Sequence, residues 1–138
     1  MNSVPSIRRP EQSVQVSEAT ILITNLRLRT YIGFNPDEKI KQQDIVINTE
    51  IRYRADAASR SDDADDALNY KNITKEMIRH VENGRFQLLE KLVADLLGIA
   101  SQSERVSYAK VSVDKPHALR FADSVSVTLT ATRNPTAA

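Results

Sequence analysis

Four polar side chains in this sequence belong to types that carry out acid–base chemistry, and each stands beside apolar or turn-forming residues. Glu38 lies in GFNPDEKIKQQD, Tyr70 ends ALNY, Glu90 interrupts LLEKL, and Lys115 ends a strand-like run. Carboxylate, phenol and ammonium groups accept or donate protons when their surroundings position them against a substrate. Each residue also has an ordinary interpretation, as a solvated charge, a half-buried ring or a polar group at the margin of an apolar helix face.

The octapeptide VDKPHALR (113–120) adds two more basic side chains directly after the predicted strand. His117 and Arg120 follow Lys115 within five residues. Such a cluster suits an anionic group, because a guanidinium binds phosphate oxygens in bidentate fashion. The alternative is a turn whose basic side chains are solvated, and the residues by themselves leave both interpretations open.

Composition narrows the classes of function. The 138 residues carry a formal net charge of +1, which favours neither a nucleic acid nor a membrane surface as partner. There is no cysteine, so disulfides, thiol catalysis and cysteine-ligated zinc are excluded. No apolar run approaches the roughly 20 residues that span a bilayer, and no secretion signal is evident. We therefore expect a cytoplasmic protein.

Metal and nucleotide cofactors are not expected. The sequence has two histidines, His80 and His117, too far apart to match a known metal-binding spacing. Its three glycines form neither a GxGxxG motif nor a P-loop.

The hydrophobic pattern predicts one domain over residues 19–133, with tails at 1–18 and 134–138. Strands are predicted at 19–33, 45–54, 106–113 and 123–132 from apolar residues that alternate with polar ones. In the first of these, Leu22 is expected to share a face with Leu26, Leu28 and Ile32, although Ile21 and Ile23 break the alternation. Two helices are predicted between the second and third strands, from apolar residues with helical spacing at 73–81 and 88–97.

This order, β-β-α-α-β-β, predicts an α+β fold with a four-stranded antiparallel sheet and two helices on one face. Such a sheet leaves two edges exposed, and exposed edges tend to pair with other chains. Closure with neighbouring subunits into a barrel would remove the edges. We therefore expect a homo-oligomer with a small-molecule site where subunits meet.

Three segments resemble the dihydroneopterin aldolase family: LRTYIGFNPDEKIKQQDIVINTEI, DALNYKNITKEMIRHVENGRFQLLEKLVADLL and VDKPHALRFADSVSVTL. The resemblance covers about residues 20–132. It implies the tunnelling fold (T-fold), in which four subunits close into a barrel and two such rings stack as an octamer. It also implies a pterin substrate and active sites between subunits, without a metal or a cofactor.

The resemblance implies a role for each candidate residue. Glu90 would accept hydrogen bonds from the 2-amino group and a ring N–H of the pterin, a bidentate pair. Backbone groups near Leu89 and Leu68 would complete the pterin site. Glu38 and Lys115 would lie near ring N5 and the substrate side chain, and Tyr70 of a neighbouring subunit would reach the side-chain hydroxyls.

Within the family, the segment HALR after Lys115 resembles the epimerase branch more than the aldolase branch. The resemblance therefore implies inversion of C2' in dihydroneopterin triphosphate, with His117 and Arg120 facing the phosphates. The alternative is aldol cleavage that releases glycolaldehyde. A non-catalytic pterin-binding protein is a third alternative. The presence of Glu38, Tyr70 and Lys115 argues against it, because a binding protein would need only Glu90.

Overall fold

The computed structural model describes residue 14 and residues 16–134, which contain five strands and three helices. The strands are β1 (Ala19–Ile32), β2 (Gln43–Tyr53), β3 (Arg85–Phe86), β4 (Val106–Lys115) and β5 (Val125–Thr132). The helices are α1 (Asp56–Ser61), α2 (Tyr70–Glu82) and α3 (Leu89–Ala100), with short 3-10 turns at Pro36–Lys39 and Ala64–Asp66. Most of the two predicted tails, 1–18 and 134–138, lies outside the described residues.

All five strands belong to one sheet in the order β3-β1-β2-β4-β5. The four long strands pair antiparallel, whereas β3 pairs parallel with the end of β1 through Tyr31–Arg85 and Ile32–Phe86. The predicted α+β class is confirmed, but the prediction of a purely antiparallel, four-stranded sheet is incomplete. A strand of two residues is too short for alternation to reveal it.

The core lies between one face of the sheet and the two long helices. In β2 the alternation expected from the sequence is present, and Ile45, Ile47 and Ile51 are fully buried. The helices bury Met77 and Val81 from α2, and Leu92, Val93 and Leu96 from α3, against this face. No helix within the described residues is long and apolar enough to cross a membrane.

A bulge interrupts β1. Ile23 pairs with Thr49 and Leu26 pairs with Ile47, so that Thr24 and Asn25 together face the single residue Asn48. Asn25 has φ +55°, in the left-handed region that asparagine tolerates better than most residues. Its N–H donates to Oδ1 of Asn48 at 2.8 Å, and the Asn48 amide donates back to Asn25 Oδ1 at 3.2 Å.

The bulge reverses the phase of β1, because its extra residue moves every later side chain to the opposite face. Ile21 and Ile23 point toward the helices before the bulge, and Leu26 and Leu28 do so after it. Leu22 is 65% exposed on the other face. The prediction that it shares the buried face is therefore wrong, and the irregular alternation reflects a bulge.

The two ends of the sheet have different neighbours. We call them the Lys115 end and the Val106 end, after the last and first residues of β4. At about 3.3 Å per residue, this ten-residue strand separates them by about 30 Å. α2 begins at the Val106 end, where Arg105 donates to the carbonyls of Asp66 and Ala67. It ends toward the Lys115 end, where the Thr30 hydroxyl donates to Val81 O at 2.7 Å.

Candidate active site

Glu38 and Lys115 meet at the Lys115 end of the sheet. Oε2 of Glu38 lies 2.8 Å from Nζ of Lys115, and the side chains are only 19% and 12% exposed. The Gln43 amide donates to the same Oε2 at 3.2 Å, and the Asn35 backbone N–H donates to Oε1 at 3.3 Å. Both carboxylate oxygens are therefore held, and the ammonium is fixed in a largely water-shielded place.

The local sequence explains why Glu38 points to this place. The 3-10 turn Pro36–Lys39 follows β1, with Asn35 as its N-cap and Pro36 at its first position, where proline is favoured. Gly33 has φ +131°, a conformation that L side chains rarely adopt. A Cβ at Gly33 would lie 2.1 Å from Cδ of Glu38, so the carboxylate packs directly against a backbone without a side chain.

Electrostatics keep Glu38 ionised. The hydrogen bond from Lys115 is the largest influence and lowers the pKa of the Glu38 carboxyl. Partial burial opposes it, and the donors Gln43 and Asn35 add to the lowering. The carboxylate therefore stays charged below its ordinary pKa of 4.5.

Glu90 and Leu89 open α3 at the same end of the sheet. The chain reaches them from β3, where the Phe86 carbonyl accepts from the Gly33 N–H at 2.9 Å, next to the turn that carries Glu38. Glu90 is exposed, and its side chain makes no hydrogen bond or ion pair with the part of the chain that the structure describes. Its carboxylate is thus available to a ligand.

Leu68 and Tyr70 lie at the opposite, Val106 end. They come directly after Ala67, whose carbonyl accepts from Arg105 at 3.2 Å, and Tyr70 is the first residue of α2. Leu68 is buried, whereas Tyr70 is 50% exposed. A single chain therefore does not bring Tyr70 to Lys115, because the length of the sheet separates them.

The basic residues after β4 are on the surface. The His117 side chain is 81% exposed, and its Nε2 lies 4.0 Å from Oδ2 of Asp44. Arg120 is exposed and packs loosely beside Phe121, with 5.6 Å between the guanidinium carbon and the ring centroid. Neither residue contacts the Glu38–Lys115 pair.

A cavity of about 710 Å³ lies beside the start of the loop after β4, and Pro116, Arg27 and Arg29 are among the residues that line it. Arg29 is paired with Asp44 at 2.7 Å. The Arg27 side chain has no hydrogen-bond or ion-pair partner among residues 16–134.

Two residues of the site are Gly33 and Gln43, and neither their type nor their position in the sequence indicates their part in it. A glycine directly after a strand and a glutamine at the start of the next are common in turns, so neither signals chemistry alone. Among the described residues no three His, Asp or Glu side chains converge to hold a metal ion. The expectation that the protein needs no metal stays a prediction.

Comparison with known proteins places the chain in a family. A sequence profile of the dihydroneopterin aldolase family matches residues 21–130. The chain therefore belongs to this family, as the resemblance of its three segments predicts, and has the T-fold.

Individual relatives divide between two activities. The chain is 59% identical over 111 residues to dihydroneopterin triphosphate 2'-epimerase of Escherichia coli, an alignment that covers 80% of this chain and 92% of the relative. It is 50% identical over 111 residues to the same enzyme of Pseudomonas aeruginosa, covering 80% and 90%. The structure of Escherichia coli dihydroneopterin aldolase in complex with neopterin is 26% identical, covers 82% of this chain and 98% of that one, and superposes with a TM-score of 0.76.

Proposed function

We propose that this protein epimerises C2' in the side chain of 7,8-dihydroneopterin 3'-triphosphate to give 7,8-dihydromonapterin 3'-triphosphate. The observation that carries the proposal is the 59% identity to the Escherichia coli epimerase over 92% of its length. The Escherichia coli aldolase is only 26% identical, so aldol cleavage as the main activity fits the chain less well.

In this reaction the C1'–C2' bond can break because the C=N group of the adjacent dihydropterin ring can accept its electrons. A base removes the proton of the 2'-hydroxyl through a water chain, the C1'–C2' bond breaks, and its electrons enter the C=N group of the ring. The ammonium of Lys115 assists protonation at N5, and the Glu38 carboxylate orients that ammonium. The aldehyde fragment, which carries the triphosphate, turns over, and C1' attacks its other face. The C=N group of the ring re-forms as N5 releases its proton, and the new 2'-oxygen takes up a proton.

The pterin ring is held at the start of α3. The Glu90 carboxylate accepts from the 2-amino group and a ring N–H, and backbone groups near Leu89 and Leu68 complete the site. The exposed, unpartnered position of Glu90 supports this role. Glu90 stands at the end of the sheet where Glu38 and Lys115 meet, so one site can hold both the pterin ring and the reacting carbon.

Tyr70 and Leu68 join the site from a neighbouring subunit. In one chain about 30 Å of β4 separates them from Lys115. A head-to-tail contact between copies would place the Val106 end of one chain against the Lys115 end of the next, where the phenol can reach the substrate hydroxyls. The proposal includes an octamer of two tetrameric rings and a cytoplasmic location.

The triphosphate extends toward the loop after β4. His117 and Arg120 supply cationic side chains there, and Arg120 is suited to bidentate phosphate contacts. Arg27, in the cavity beside Pro116, offers a further guanidinium that makes no ion pair with a described acidic side chain. These residues would favour a triphosphorylated substrate over dihydroneopterin.

A product assay tests the proposal. Purified protein is incubated separately with dihydroneopterin triphosphate and dihydroneopterin, and epimer and free aldehyde are both measured. We expect epimer from the triphosphate with little free aldehyde. Stoichiometric glycolaldehyde from dihydroneopterin would favour the aldolase alternative, and binding without turnover would favour a pterin-binding protein.

A further inference from the structure

Arg85 of β3 contacts two segments on either side of Glu38. Its guanidinium carbon lies 3.8 Å from the ring centroid of Tyr31, the residue it pairs with in the sheet. Its Nη1 donates to the carbonyl of Lys39 at 3.0 Å. Tyr31 precedes the turn that carries Glu38, and Lys39 immediately follows Glu38, so one planar group touches the chain before and after the carboxylate.

The backbone of β3 holds the same turn at its beginning. The Phe86 carbonyl accepts from the Gly33 N–H at 2.9 Å, and Gly33 is the residue against which Glu38 packs. Residues 85 and 86 therefore hold both sides of the turn. Three residues after Phe86, α3 begins and presents Glu90.

The other contacts of this turn lie at the carboxylate and further along the chain, where Arg29 donates to Gln42 O at 3.0 Å and Gln43 pairs with Thr30 in the sheet. Glu38 itself bonds Lys115, Gln43 and Asn35, and these three bonds hold its carboxylate rather than the backbone that follows it. Lys39 and Ile40 are exposed, and among the described residues Ile40 bonds within the turn, through its N–H to Asp37 O at 3.4 Å. Arg85 supplies the bond from outside the turn at this point.

We propose that Arg85 is a positioning residue for catalysis, which holds the Glu38 turn against Lys115 by stacking on Tyr31 and donating to Lys39 O. This inference rests on the proposed function for its kinetic test. An arginine suits the task because its planar guanidinium stacks and donates at once, which a lysine ammonium cannot do in the same way. Arg85 acts through Glu38 and need not touch the substrate.

Kinetics of Arg85→Ala test the proposal. We expect kcat for epimerisation to fall by about 10- to 100-fold, as when a catalytic group shifts by about an ångström. KM should change by less than about threefold, because the pterin is bound by residues of α3 and the neighbouring subunit. Arg85→Lys should lie between wild type and Arg85→Ala, and Arg79→Ala, an exposed arginine of α2, is the matched control.

A double-mutant cycle separates positioning from a general structural effect. In a Glu38→Gln background, Arg85→Ala should lower kcat by less than about twofold further, because the group it positions is already lost. Tyr31→Phe should retain activity, since the ring remains, whereas Tyr31→Leu should resemble Arg85→Ala. Equal losses in both backgrounds, or an unchanged kcat in Arg85→Ala and Tyr31→Leu, would overturn the proposal.

Amide hydrogen exchange provides a readout without catalysis. Exchange at Glu38 and Ile40 should accelerate in Arg85→Ala and in Tyr31→Leu, and exchange within α2 should stay unchanged. If the wild-type protein fails to epimerise the triphosphate, the proposed function is wrong, yet exchange still shows whether Arg85 holds the turn. Unaltered exchange in both variants would refute that contact.

Discussion

The carboxylate of Glu38 and the ammonium of Lys115 lie 2.8 Å apart across 77 residues of sequence. The pair forms because the turn after β1 and the last residue of β4 reach the same end of the sheet. Gln43, at the start of the intervening strand β2, bonds the same carboxylate oxygen. The pair is therefore a property of the sheet, and its proposed role leads to four predictions.

Replacing Lys115 tests the proposed chemistry directly. We expect Lys115→Met to lower kcat for epimerisation by about 10²- to 10⁴-fold, the usual range for a lost acid–base group. Stopped assays that follow the epimer measure this. Lys75→Met, on the exposed side of α2, is the control and should match wild type. If Lys115→Met epimerises at the wild-type rate, the proposed mechanism is wrong.

Two glycine-to-alanine substitutions form a matched pair. Gly33→Ala should destabilise the protein by about 1–3 kcal/mol, because alanine would be strained in this backbone conformation. It should also displace Glu38 and suppress turnover, because the new Cβ would lie 2.1 Å from Glu38 Cδ. Gly98→Ala, in α3, meets nothing within 4 Å, and should stabilise by about 0.5–1 kcal/mol. Thermal unfolding and kcat of both variants check this; a fully active Gly33→Ala would contradict the packing described.

The ionisation of Glu38 predicts a pH-dependent contribution to stability. Its pKa in the folded protein is lowered below the ordinary 4.5, so the charged form stabilises the fold. The contribution is complete above the unfolded pKa and is lost as pH falls through the folded pKa. The stability difference between wild type and Glu38→Gln should therefore be constant near neutral pH and shrink below about pH 4.5.

Urea unfolding at one fixed protein concentration measures this difference, because oligomer stability depends on concentration. Glu104→Gln replaces an exposed carboxyl and serves as the control. If the stability difference grows as the solution becomes more acidic, the contact with Lys115 does not favour the charged form of Glu38.

Mixed oligomers test whether two subunits build each site. Tyr70→Phe and Lys115→Met proteins, each of low activity, are unfolded together, mixed in equal amounts and refolded. If Tyr70 and Lys115 of one site belong to different chains, about a quarter of the sites should contain both native residues and regain activity. Recovery should fail if both residues come from one chain, and refolding each variant alone is the control.

Much of this fold can be predicted from the sequence because alternation and helical spacing record which side chains are buried. Ile45, Ile47 and Ile51 of β2 follow the expected period of two, and the apolar stripe of α3 buries Leu92 and Leu96 as predicted. The predictions fail where few residues carry the signal. The two-residue β3 has no period, and the bulge at Asn25 reverses the phase that made Leu22 look buried.

For the site, the sequence by itself determined the chemical types: an acid and a lysine next to strand ends, a second acid at the start of a helix, and a tyrosine before another. Only the tertiary structure decided that Glu38 and Lys115 pair, and that Tyr70 lies toward the other end of β4, a strand about 30 Å long. The reason is physical. Residue type and local period depend on neighbours in sequence, whereas these contacts depend on which strands pair and in which register.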